Sequence, residues 1–106
     1  MLAKNINRDI FHALADPTRR AILILLASQA MTPNAIAEHF DTSRQAVSKH
    51  IQILSECEAI GQRRTGREIY YHSNPSKLKE IDSWLDAYRK QLEQSFNQLD
   101  KLLNNR

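Results

Sequence analysis

Cysteine is nearly missing from this chain. One thiol, Cys57, in 106 residues leaves no intramolecular disulfide framework and is the usage expected of a protein in a reducing compartment. Glycine is almost as scarce. With Gly61 and Gly66 the only two, there is no glycine-rich loop to cradle phosphates and no flexible linker to divide the chain. No nucleophile elbow and no grouping of Cys, His and acidic residues is found, which argues against an enzyme and leaves no catalytic residue to name. Long apolar runs are lacking as well: the longest, Ala21 to Ala27, falls far short of the about 20 residues that cross a bilayer. Without a leader-like start, a repeat or a low-complexity tract, the expectation is one soluble, cytoplasmic domain over residues 1–106 with no membrane insertion.

What is present is a mild excess of positive charge, +3 at neutral pH, gathered in one stretch. From Thr42 to Arg67 the basic residues Arg44, Lys49, Arg63, Arg64 and Arg67 stand against Glu56 and Glu58. That concentration suits a nucleic-acid partner.

The same stretch carries two short helical patterns. Thr32-Pro33 offers an N-cap hydroxyl followed by a proline at the first helical position, and Ala35, Ile36, Ala37 and Phe40 supply an apolar face to a helix over Pro33 to Phe40. After Asp41-Thr42-Ser43, a second helix places Val47, Ile51 and Leu54 on a buried face. Thr42 with Gln45 matches a capping box while Ser43 lies closer to the apolar run, so both are candidate caps. The outward face of this helix holds Ser43, Arg44, Gln45, Ser48, Lys49 and Gln52, side chains that donate to phosphates or pair with base edges in a major groove. Residues 32–56 therefore read as a helix-turn-helix.

Residues 59–73 read as a hairpin wing, with strands Ile60 to Arg64 and Glu68 to His72 joined by Thr65-Gly66-Arg67. Arg63, Arg64, Thr65 and Arg67 at its tip are candidate phosphate contacts. Tyr70 and Tyr71 are expected to pack in the strand, one inward and one outward.

The flanks are helical. Ile6, Ile10 and Leu14 form one apolar stripe, and Asp16-Pro17 ends that segment and starts the next, whose core is Ile22, Leu23, Leu25 and Leu26. Arg19 and Arg20 fall in its first turn, where the helix dipole disfavours cations, and read as solvated or acid-paired surface. From Pro75 onward Leu78, Leu85, Leu92 and Leu99 recur every seven residues, with Ile81, Tyr88 and Leu102 three further on and Trp84, Phe96 and Leu103 beside them. A seam of this length on a helix that nothing later in the chain can cover points to pairing with a second copy.

Phe11-His12-Ala13-Leu14-Ala15-Asp16-Pro17-Thr18-Arg19-Arg20 and Ser43-Arg44-Gln45-Ala46-Val47-Ser48-Lys49-His50-Ile51, with the Arg-rich wing and the long last helix, resemble the ArsR/SmtB repressors over about residues 5 to 103. The resemblance implies a mainly α fold with a small β-hairpin (α+β), a winged helix-turn-helix of five helices plus a two-stranded wing. It also implies a homodimer, paired through helices at residues 5–16 and 75–103, with Ile6, Ile10, Leu78, Ile81, Leu85, Tyr88, Leu92, Phe96 and Leu99 at the interface. A two-fold pair of recognition helices would read an inverted repeat in double-stranded DNA and repress by occluding a promoter.

Many members of that family sense metals through cysteines on the third helix or His and carboxylates on the last. Here the third helix has no cysteine and the last has neither His nor Cys, so the chain resembles a branch without those sites: no metal ligand and no cofactor is named. Its effector or partner protein is not legible. His12, His39, His50 and His72 are dispersed, and His50 reads as a packing or anchoring residue. Cys57 lies between Glu56 and Glu58, surroundings that do not activate a thiol. The rival reading is a winged-helix adaptor for protein contact with only nonspecific DNA affinity, which has no need of the Arg44 to Arg67 cations. RNA or single-strand binding ranks last, for want of exposed aromatics on a sheet.

Overall fold

The computed structural model describes residues 8–104; Ile6 and the start of the first expected helix lie outside them. Four helix starts are marked by a polar side chain that satisfies orphan N–H groups, each worth about 1 kcal/mol. Asp9 caps α1 (Ile10–Leu14) by accepting the His12 N–H at 2.9 Å. Asp16 caps α2 (Pro17–Ser28), taking the N–H groups of Thr18 and Arg19 at 2.8 and 3.1 Å, with Pro17 in the first turn. Thr32 caps α3 (Pro33–Ala37) through the Ala35 N–H at 3.2 Å. Ser43, rather than Thr42, caps α4 (Arg44–Glu56) through the Ala46 N–H at 3.1 Å.

The third helix is shorter than the expected Pro33 to Phe40. Its end tightens into i to i+3 bonds, His39 N–H to the Ile36 carbonyl and Phe40 N–H to that of Ala37, which use up the last carbonyls before the turn.

The two strands β1 (Ile60–Thr65) and β2 (Glu68–Ser73) pair antiparallel, from Ile60 opposite Ser73 to Thr65 opposite Glu68. A two-residue loop joins them, with Gly66 at φ +64°, a geometry that favours glycine at this hairpin position. At Gly61 a Cβ would stand 2.6 Å from the His72 ring opposite, so a larger residue there requires that ring to shift. One rung of pairing lies outside the hairpin: Met31 and Tyr71 exchange backbone hydrogen bonds of 3.0 and 2.8 Å, tying the loop before α3 to β2.

The core forms where these elements meet. Ile10 and Ala13 of α1, Ile22, Leu23 and Leu26 of α2, Ile36 of α3, and Val47, Ile51 and Leu54 of α4 are buried together with Met31, Cys57, Ala59 and Ile60. Ile10, expected at a dimer face, is therefore a correction: it is 0% exposed within its own chain and has no surface to offer a partner. Its stripe turns into the chain's own core, while Phe11 beside it faces outward.

Arg19 differs from expectation, being buried, while Arg20 is exposed as expected but anchored to backbone rather than to an acid. The buried Arg19 donates from Nε to the Ala13 carbonyl at 3.2 Å and from Nη2 to that of His12 at 2.9 Å, and Arg20 donates from Nη1 to the Leu14 carbonyl at 2.7 Å. Their charge sits at the carbonyl end of α1, where the dipole favours a cation.

Helix α5 (Pro75–Asn104) leaves the body of the molecule. None of its described residues is fully buried; Leu78 and Ile81, expected at the dimer face, are partly buried against the chain's own core. The rest projects outward, giving extents of 71 × 33 × 25 Å and a radius of gyration of 19.0 Å, against about 13 Å for a compact domain of this length. Among the described residues no helix is long and apolar enough to cross a membrane.

Helix α4 ends in a Schellman motif, with Ala59 N–H to the Leu54 carbonyl and Glu58 N–H to that of Ser55, both at 3.0 Å. The left-handed position is held by Glu58 at φ 61°, where glycine is usual. Glu58→Gly should therefore raise stability by about 1 kcal/mol, read as a shift of the urea midpoint without a change in slope.

Candidate nucleic-acid interface

Helix α4 is amphipathic in a way that decides which side chains are free. Burial of Val47, Ile51 and Leu54 fixes the rotation of the helix, and the opposite side is left to Arg44, Gln45, Ser48, Lys49 and Gln52. All five are exposed and line one shallow, open depression. Ser43 borders this set but its oxygen is used as the cap; the hydroxyl proton stays available to a phosphate. Among the described residues no carboxylate lies within 4.0 Å of Arg44 or Lys49. Arg44 instead donates to the side-chain oxygen of Asn34 on α3, and Gln52 donates to Glu56 at 3.4 Å.

The wing residues are less of a cluster than their spacing suggests. Arg63 and Arg64 are consecutive on β1, opposite Tyr70 and Ile69, so they point to opposite faces of the ribbon. Arg67 belongs to the turn and shares a depression with Thr32, Pro33 and Asn34 at the foot of α3. Thr65 ends β1, exposed, opposite Glu68. All three arginines are exposed and none is in a salt bridge among the described residues. Glu68, the nearest acid in sequence, accepts the Tyr70 hydroxyl at 3.1 Å, and that hydrogen bond pushes the phenol above its ordinary pKa. Tyr71 packs against the core.

Between α4 and the wing runs a second groove, lined by Ser48, Ile51, Gln52, Ser55, Gln62 and Tyr71 beside Pro33. Ser55 and Gln62 are polar members of it that sequence reasoning passed over. Ser55 lies three residues beyond Gln52 on the same face, a signal that was present; Gln62 needed the hairpin register to be seen.

Asp16 also faces α4. Its carboxylate, already the cap of α2, lies 3.7 Å from the half-buried His50 Nδ1 of α4, a nitrogen with no hydrogen-bond partner among the described residues. Burial pushes the Asp16 carboxyl up, but the N–H groups of Arg19 and Thr18 together with the charges of His50 and Arg19 hold it below the ordinary carboxylate value. Cys57, at the other end of α4, is buried, and that burial pushes its thiol up, away from the reactive thiolate. Among the described residues no three His, Cys, Asp or Glu side chains converge as a metal site.

Comparison with known proteins agrees with this geometry. A helix-turn-helix domain family model matches residues 14–60, which span α2, α3, α4 and the start of the wing. The transcriptional repressor SdpR of Bacillus subtilis is 43% identical over 77 residues, 73% of this chain and 86% of that protein. A solved ArsR family transcriptional regulator superposes with a TM-score of 0.74 at 31% identity, covering 86% of this chain and 93% of the other. A Mycobacterium bovis domain, described as a homodimeric winged helix-turn-helix DNA-binding domain and a possible ArsR-family regulator, superposes with a TM-score of 0.63 at 26% identity, covering 87% and 85%.

Because the Asp16 pKa is lowered on folding, its contribution is present above the unfolded carboxylate pKa, near 4, and is lost as pH falls through the folded value. Asp16→Ala should cost about 1 kcal/mol at pH 7, and the gap to the wild type should close as the pH is lowered toward 3 in urea titrations. A gap independent of pH would mean that the carboxylate charge contributes nothing.

Proposed function

The chain belongs to the ArsR family of winged helix-turn-helix transcriptional regulators, and from that membership we propose that it is a homodimeric repressor of an inverted-repeat DNA operator. Its work is binding and release of DNA rather than catalysis. The observation that carries this reading is the outward face of α4: five exposed donors on one side of a helix whose other side is locked into the core, with Arg44 and Lys49 unneutralised. In the bound state Arg44, Gln45 and Ser48 read base edges near the helix start, while Lys49, Gln52 and Ser43 hold phosphates. Arg63, Arg64, Thr65 and Arg67 add contacts from the wing, on both faces of the ribbon.

Dimerisation is supported by α5. Leu85, Tyr88, Leu92, Phe96 and Leu99 are between 38% and 65% exposed along one seam, a contiguous apolar surface of the kind that marks an interface. Beside it Phe11 meets Trp84 edge-on at 5.8 Å and Trp84 stacks on Tyr88 at 5.3 Å, so Phe11, not Ile10, brings α1 to that face. The homodimeric description of the Mycobacterium bovis domain and the repressor name of the Bacillus subtilis relative point the same way. A two-fold axis through paired α5 helices gives two recognition helices and hence two half-sites about one turn of DNA, or a multiple, apart.

Fluorescence anisotropy across a salt series tests the reading, with the duplex upstream of the protein's own gene and a scrambled duplex as probes. The wild type should prefer the native duplex by about a hundredfold with a steep salt slope, and R44A/R63A/R64A should bind at least about tenfold more weakly with a shallower slope. A folded triple variant that binds like the wild type would turn the wing and recognition helix back into a protein-contact surface.

A further inference from the structure

Arg44 opens the recognition helix, and the group that holds it is not an acid. Its Nη1 donates to the side-chain oxygen of Asn34, ten residues earlier on α3. We propose that Asn34 is a positioning residue for sequence reading, fixing the Arg44 guanidinium in the plane from which it pairs with one base of the operator. The inference rests on α4 being the recognition helix, as argued above.

The chemistry of the pair favours this role over a merely structural one. A free arginine samples many rotamers, and ordering it on DNA lowers affinity and blurs discrimination. An amide oxygen accepts one N–H and leaves the remaining donors of the fork for the two acceptors of a guanine edge. It also leaves the positive charge intact, which a carboxylate at the same place would cancel. The base of the anchor is rigid: Asn34 follows Pro33 in a helix capped by Thr32 and pinned by the fully buried Ile36. Asn34 further shares its depression with Arg67 of the wing turn, so the same residue stands between the two cationic parts of the interface.

The test uses the full-length wild type, R44A, N34A, N34D and N34A/R44A on a duplex selected by the wild type from a randomised pool, together with every single base-pair change in it. R44A identifies the base pair that Arg44 reads. N34A should lose about five- to tenfold of discrimination at that base pair alone, with unchanged salt slope and unchanged thermal midpoint, and should add nothing in the R44A background. N34D should keep discrimination at that base pair but bind more weakly at every sequence, with the salt slope reduced by about one. If N34A keeps discrimination within about twofold where R44A loses it, or loses it evenly at all positions, the positioning role is overturned while the recognition-helix reading stands. If R44A itself changes neither affinity nor discrimination, both fall together.

Discussion

The constraint on which the rest of this structure depends is the seam of α5 that its own domain leaves uncovered. A small domain can bury only so much, and here the core is completed by five short elements and the first turns of α5, through Leu78 and Ile81. Beyond them some twenty residues continue as helix into open space, carrying Leu92, Phe96, Leu99, Leu102 and Leu103 with 40% to 71% of their surface exposed. An isolated amphipathic helix of this kind is poorly stable in water; a second copy offers the matching seam. The number of recognition helices, the symmetry of the DNA site and the steep dependence on salt all follow from that pairing in the proposed regulator.

A second set of contacts turns the body into a rigid mount for α4. Asp16 caps α2 and faces His50 on α4, while Arg19 and Arg20, from the turn that Asp16 caps, close the carbonyl end of α1. Three helices, α1, α2 and α4, thus converge on one polar knot over the core. Charge that would be out of place at the start of α2 is neutralised by the dipole of α1, and the buried Arg19 holds α1, the helix whose Phe11 meets α5, in fixed register with the helix that presents Arg44. The side chains proposed to read bases stand on a helix rather than on a loop, which suits readout of base edges at hydrogen-bond precision.

Much of this was legible in residue patterns, because the signals were local. Asp16-Pro17 and Thr32-Pro33 mark helix starts by chemistry that involves neighbours only, and the outward set of α4 follows from the spacing of Val47, Ile51 and Leu54. The seven-residue recurrence from Leu78 to Leu99 announced a long helix with one apolar side. What stayed hidden depended on contacts between distant segments. A stripe such as Ile10 and Leu14 tells which side is apolar but not which surface covers it, so Ile10 was assigned outward when it belongs to the core. Arg19 and Arg20 look misplaced until the end of α1 is seen in front of them. The Met31 to Tyr71 rung and the bond from Arg44 to Asn34 arise from tertiary proximity with no sequence motif behind them, and the left-handed Glu58 lacks the glycine that would have signalled it.

The most direct measurement is sedimentation equilibrium of the free protein and of its complex with the selected duplex. Paired α5 helices require a particle of twice the 12.3 kDa chain mass at micromolar concentration and two chains on each duplex. A free protein that stays at the mass of one chain, and a complex with a single chain per duplex, would contradict the two-fold regulator.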